Sequence, residues 1–275
     1  MRSINGQLLS SSETDTWNNR AFLYGDGVFE TIRVSKGKIL FWEAHYFRLM
    51  SAMRIIRLHI PLQFTPEYIE QEILKTLENN QANARVRLTV FRGNGGYYSP
   101  TSQEVEWVIE SVPLFDSHYQ LDQTAYTVDV YKDQLVMAQP LSNVKTTGKV
   151  MQVMAAIFAQ ENHWDSCLLL NQHKNVCEAV QGNVFMVMDN QIITPPLTEG
   201  CLKGIIRGYL LEKLPKSTPF AVVERPISVY ELQEADELWI TNVIQGIRPV
   251  TQFRKKKYAS TVAEQVFQLL NLEIE

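Results

Sequence analysis

A chain of 275 residues, 45% hydrophobic and 20% charged, has the composition of a soluble globular enzyme, with room for one large domain or two smaller ones. Its net charge of −4 supplies no basic field for nucleic acid, so the electrostatics point to a small-molecule partner. Cys167, Cys177 and Cys201 lack metal-ligand or redox spacing, the N-terminal stretch has no apolar core of signal-peptide length, and no window approaches the ~20 apolar residues of a membrane span. The expectation is a cytoplasmic protein with neither a metal nor a membrane segment.

In chain order, Met1 to Thr16 reads as a short hairpin around Asn5-Gly6 followed by a polar loop. Gly25 to Val34 reads as a strand, and the turn SKGK (35–38) leads it into Ile39 to Phe41. Trp42 to Leu58 carries apolar residues at helical spacing, with His45 and Arg48 one turn apart. Thr65-Pro66-Glu67 marks a helix start, cap then proline, running to about Glu78. Arg85 to Phe91 and Val105 to Ser111 alternate like paired strands around the loop RGNGGYYSP (92–100).

The aperiodic segment VPLFDSHYQ (112–120) divides an N-terminal domain, 1–111, from a larger C-terminal one, 121–275. Strands are expected at Thr127 to Tyr131, 167–170, 183–188, Ile192 to Thr194 and Glu237 to Thr241. Helices are expected from Val150, from Gly204 to Leu214, near Ser228 to Glu234, and from Ala259 to Leu270. Strands and helices mix without strict alternation, giving a two-domain mixed α/β (α+β) fold rather than a regular doubly wound sheet.

Lys145 sits just before one of these helices, and Glu178 sits at the end of a neighbouring element. An amine on one side and a carboxylate on the other suit a cofactor that needs both. Five stretches in order, YGDGVFETIRV (24–34), HYFRL (45–49), the Lys145 segment, CEAVQGNVF (177–185) and PPLTEGCLKGIIR (195–207), resemble the fold-type IV pyridoxal-5′-phosphate (PLP) enzymes. That family includes branched-chain and D-amino-acid aminotransferases and aminodeoxychorismate lyase.

The resemblance implies that Lys145 holds the cofactor aldehyde and shuttles a proton, with Lys149, one turn on, as the nearest rival. It implies that Glu178 faces the ring nitrogen, and that Arg48, the helix start at Ile205 and Ile206, and the turn at Asn242 and Val243 hold the phosphate. Tyr24, Phe29 and Glu30 are expected to face the substrate, as are Arg92 and Tyr97 of the glycine-rich loop. That loop resembles the one typical of aminodeoxychorismate lyases, but Tyr97 replaces an arginine, leaving Arg92, Lys203 or Arg248 to bind a substrate carboxylate. The family's asparagine or tyrosine three to five residues after the lysine is also missing, replaced by Gly148, Lys149 and Val150.

The activity so implied is aminodeoxychorismate lyase. The alternatives are an aminotransferase for branched-chain or D-amino acids, and a PLP-binding relative without turnover. A small-molecule amine is the expected substrate, and a homodimer the expected assembly.

Overall fold

The computed structural model describes residues 19–77 and 82–272, together with the backbone of 2–4 and 7–9. β1 (Arg2–Ile4) and β2 (Gln7–Leu9) pair antiparallel, as the hairpin reading required; the Asn5-Gly6 turn itself lies outside the described residues. A short helix that periodicity did not announce follows, α1 (Arg20–Tyr24). The Asn19 side chain caps it by accepting from the Ala21 and Phe22 N–H groups, and Gly25 closes it at φ 65°. The first long strand, β3, therefore spans Gly27–Ser35 instead of starting at Gly25.

β4 (Lys38–Ile39) completes the hairpin, and α2 (Trp42–Ile55) and α3 (Pro66–Lys75) follow. Thr65 caps α3 through the Tyr68 N–H with proline at the first turn, as read; the helix ends at Lys75, with Thr76 as its C-cap, short of the expected end near Glu78. β5 (Ala84–Arg92) and β6 (Val105–Pro113) complete an antiparallel sheet ordered β4-β3-β5-β6. Side chains alternate across a strand. Val28, Ile32 and Val34 of β3 and Val86, Leu88 and Val90 of β5 bury in one cluster with Leu49 and Met53 of α2 and Ile69 and Ile73 of α3. The opposite face is left to Phe29 and Thr31, with Thr31 paired to Arg87.

Residues 114–126 hold no helix or strand, yet Tyr119 is buried and donates its hydroxyl to the Val243 carbonyl at 2.8 Å. Beyond them come β7 (Thr127–Val136), α4 (Val150–Glu161), β8 (Ser166–Asn171), β9 (Val176–Ala179), β10 (Asn183–Met188) and β11 (Gln191–Thr194). α5 (Ile205–Ser217), β12 (Ala221–Glu224), α6 (Glu231–Glu234), β13 (Glu237–Asn242), β14 (Gly246–Pro249), β15 (Gln252–Phe253), β16 (Lys256–Lys257) and α7 (Thr261–Leu272) finish the chain.

Two mixed five-stranded sheets result, ordered β12-β11-β10-β13-β14 and β16-β15-β7-β8-β9. β8, SCLLLN, lies between β7 and β9 and is buried along its whole length, so cutting Leu169 back to alanine would cost about 2–5 kcal/mol. One apolar cluster holds Leu168 and Val130 of one sheet with Met186, Leu238 and Ile240 of the other. α5 and α7 pack Leu210, Leu214 and Val266 on Phe185 and Trp239, while α4 packs Ala155 and Ala159 on Tyr131 and Leu169. Among the described residues, no helix is long and apolar enough to cross a membrane, and no His, Cys, Asp and Glu cluster could hold a metal.

One contact matters most for the site. The segment carrying Lys145 pairs with the start of β3, Phe29 N–H to the Lys145 carbonyl and Thr147 N–H to the Gly27 carbonyl, both at 2.9 Å. The lysine is thereby fixed against the bare face of the first sheet.

Candidate active site

A cleft of about 500 Å³ lies between that bare face, the start of α4, the end of β9, the start of α5 and the turn joining β13 to β14. Lys145 projects into it with its ammonium 4.5 Å from the centroid of the Phe29 ring. Burial, reinforced by the Arg48 charge, pushes the Lys145 amine down to about 8. About a tenth of it is therefore the neutral, nucleophilic form at pH 7, far more than of an ordinary lysine.

Arg48 reaches the cleft from α2 and is held from three directions. Its Nε and Nη2 grip the Glu30 carboxylate at 2.7 and 2.5 Å, and its Nη1 donates to the Lys203 carbonyl at 2.9 Å. His45 Nδ1 lies 2.7 Å from the same carboxylate. Burial would raise the Glu30 carboxyl, but the guanidinium and the imidazole outweigh it and hold it at about 2.

Glu178 stands on β9 at the far wall. Burial raises its carboxyl; the Leu202 N–H, at 2.8 Å from Oε2, and the Lys149 and Lys145 charges oppose that rise. At the α5 start Gly204 occupies the cap position with no side chain capping the helix, so the first-turn N–H groups at Ile205 and Ile206 face the cleft end. Across from them the Thr241 hydroxyl is buried without a hydrogen-bond partner. Asn242 shapes the next turn by accepting from the Ile244 and Gln245 N–H groups.

Eight of the residues singled out in the sequence thus meet in one cleft: Arg48, Lys145, Glu178, Ile205, Ile206, Asn242, Val243 and Phe29. Four others do not line it. Glu30 has the opposite parity to Phe29 on β3, so it points at α2 and braces Arg48. Arg92 is buried at the end of β5, tied to Asp26 and to the Ile56 and Arg57 carbonyls. Tyr24 lies on α1 with the Arg20 guanidinium over its ring and Tyr98 beside it. Tyr97 is 83% exposed at the loop tip, where Arg20 holds the Gly95 and Tyr97 carbonyls.

Nor do the other proposed carboxylate cations line the cleft: Arg248 is buried against Asp122 and Thr124, and Lys203 is exposed. In their place stand Arg85 and Arg87 of β5, which the sequence reading missed. The signal was present: with Val86, Leu88 and Val90 inward, the odd positions of RVRLTV must share the face of Phe29 and Thr31. Arg87 lies with Cζ 3.8 Å from the Phe29 ring centroid, and burial followed by the Arg85 charge lowers its pKa.

The Amino-transferase class IV family matches residues 27–253. The chain belongs to this family. Class IV aminotransferases are PLP-dependent, and so is this enzyme. It is 28% identical over 235 residues to the aminodeoxychorismate lyase of Vibrio harveyi, covering 85% of each chain. It is 33% identical over 235 residues to a putative branched-chain-amino-acid aminotransferase of Methanocaldococcus jannaschii, covering 84% of this chain and 80% of the other. Its fold matches the crystal structure of a putative 4-amino-4-deoxychorismate lyase from Legionella pneumophila with a TM-score of 0.83 at 22% identity, covering 93% and 94% of the two chains.

The cleft's own groups fit the cofactor of this class. A phosphate matches the uncapped start of α5, the orphaned Thr241 hydroxyl and Arg48. An aldehyde matches the depressed Lys145 amine, and a protonated ring nitrogen would relieve the unfavourably buried Glu178 carboxylate.

Proposed function

We propose that this class IV enzyme is a 4-amino-4-deoxychorismate lyase, releasing pyruvate to leave 4-aminobenzoate for folate synthesis. The observation that carries the reading is the pair Arg85 and Arg87 on the cleft wall. A branched-chain amino acid offers its pocket an apolar side chain, whereas aminodeoxychorismate offers two carboxylates, and guanidinium groups on the wall, Arg87 half-buried and Arg85 exposed at its rim, favour the anion.

In this reading Lys145 would hold the cofactor through its amine, and that amine would also serve as the base for the proton on the substrate's ring. Bound PLP supplies an electron sink for the charge left behind. Glu178 holds a proton at the ring nitrogen, while Arg48, the Ile205 and Ile206 N–H groups, Thr241, and the Asn242–Val243 turn fix the phosphate end. Phe29, beside the Lys145 amine, would pack against the bound substrate, and Arg85 and Arg87 would orient its carboxylates.

A second reading rests on the 33% identity to the Methanocaldococcus jannaschii relative: an aminotransferase for branched-chain or D-amino acids, in which Lys145 moves its proton between the α-carbon and the cofactor. Purified, PLP-loaded protein given aminodeoxychorismate, and separately a panel of L- and D-amino acids, decides between the two. Release of 4-aminobenzoate supports the lyase; conversion of the cofactor to its pyridoxamine form by amino acids, without aminobenzoate release, overturns it. Arg85→Gln and Arg87→Gln should each raise KM for aminodeoxychorismate about tenfold or more.

We place the enzyme in the cytoplasm as a homodimer. Val150, Val153, Met154 and Ile157 form an exposed apolar stripe on α4, and Phe22 and Leu23 are exposed on α1, whose closing Gly25 abuts Gly148. Pairing there would let Tyr24 and Tyr97 serve the neighbouring cleft. A monomer by light scattering at micromolar concentration refutes this.

A further inference from the structure

Lys149 has no part in the mechanism above, yet its side chain lines the cleft beside Lys145, Gln152 and Glu178. It occupies the N-cap position of α4 and makes no capping hydrogen bond. Three residues on, and so on the same helix face, Gln152 also lines the cleft, and its side chain favours the ionised form of Glu178. The Leu202 N–H holds that carboxylate from the other side. The first turn of α4 thus stands over Glu178 with one hydrogen-bonding side chain and one cation, and among the described residues no ion-pair partner is recorded for that cation.

We infer that Lys149 is a positioning residue, whose ammonium keeps Glu178 in its carboxylate form within the closed cleft and so readies that wall for a protonated ring nitrogen. The inference rests on Glu178 being the ring-nitrogen partner. The charge relations agree: burial raises the Glu178 carboxyl, and Lys149 precedes Lys145 among the cations that counter it. Burial lowers the Lys149 amine in turn, with Glu178 the charge that supports it. The other titratable groups near Glu178 are the Cys177 and Cys201 thiols, both pushed up by burial and so neutral across the relevant range. Arg48 acts on Lys145 and belongs to the opposite end of the cleft. Lys149 also lowers the Lys145 amine, so its removal acts on both groups, and the acid limb that Glu178→Gln abolishes is the part that reports Glu178.

The test is the pH dependence of PLP affinity, read by absorbance titration on the full chain. The parent protein should lose affinity on the acid side as Glu178 takes up a proton. Lys149→Met should move that limb to higher pH by about one unit, a tenfold change in proton affinity. Lys149→Arg keeps the charge and should superimpose on the parent, while Glu178→Gln should abolish the same limb with or without Lys149. If Lys149→Met folds with parental circular dichroism and its limb coincides with the parent's, the inference fails. If Glu178→Gln leaves the limb in place, the assignment of Glu178 itself fails.

Discussion

Replacing Glu30 by glutamine tests whether the buried contact of Glu30 with Arg48 and His45 carries both stability and cofactor binding. The carboxyl titrates at about 2 in place of its ordinary 4.5. Each pH unit of that separation corresponds to ~1.4 kcal/mol, so the ionised form stabilises the folded chain by about 3 kcal/mol. Because the folded value is depressed, this stabilisation is complete above pH ~4.5 and is lost as pH falls toward 2. Glu30→Gln should therefore lower the unfolding free energy by roughly 3 kcal/mol at neutral pH, within the range for breaking a buried ion pair. In urea titrations the gap from the parent should narrow below about pH 4. The variant should also hold PLP less tightly, because Arg48 keeps at most one of the two bonds that aim it. A gap under about 1 kcal/mol at neutral pH, or one equally wide at about pH 3, would show that the Glu30 charge does not carry this stability.

Four further outcomes follow from the cleft. Lys145→Ala should yield no pyridoxyl peptide after borohydride treatment, and a modified Lys149 in its place would reverse the assignment of the two lysines. In the parent, covalent capture of PLP should quicken about tenfold per pH unit and level off above about 8, since the lowered amine must be neutral to react. Thr241→Val removes a hydroxyl that has no partner, so cofactor-free stability should stay within about 0.5 kcal/mol while PLP affinity drops about fivefold to tenfold by equilibrium dialysis. Gly204→Ala drives a Cβ into the Asn183 Oδ1, so either the α5 start shifts or Asn183 gives up its bond to the Leu202 carbonyl; a loss of PLP affinity exceeding tenfold is expected, with a stability cost of about 1–3 kcal/mol.

The parts of the fold that could be read beforehand are those set by local chemistry. Thr65 and Pro66 mark a helix start wherever they stand, and the period of two in 84–92 makes a strand on any scaffold. The short strands β12, β14, β15 and β16 escaped because two to four residues carry no measurable period; they exist only through pairing with neighbours such as β11, β13 and β7. The same limit divides the site. Lys145, Glu178 and Arg48 stood in recognisable local contexts, whereas Arg85 and Arg87 become cleft residues only once the β3–β5 register pairs Thr31 with Arg87. Glu30 failed for a related reason: its motif marked the strand but not which side of it faces the cleft.

That parity accounts for how one strand serves two ends. Along β3, Val28, Glu30 and Ile32 face α2 and α3, and Phe29 and Thr31 face the cleft. The one acid among the inward side chains cancels Arg48 on the protected side, while the outward side adds no acid of its own. Among the described residues lining the cleft, Glu178 is the single carboxylate against Lys145, Lys149, Arg85, Arg87 and the already paired Arg48. A chain of net charge −4 therefore concentrates unpaired cations in one cavity. Overall attraction cannot produce selectivity for anions here, because at physiological salt surface charges are screened within about 8 Å. The selection must be made by contacts inside the cleft, where a phosphate and two carboxylates together meet more of these charges than the single carboxylate of an apolar amino acid can.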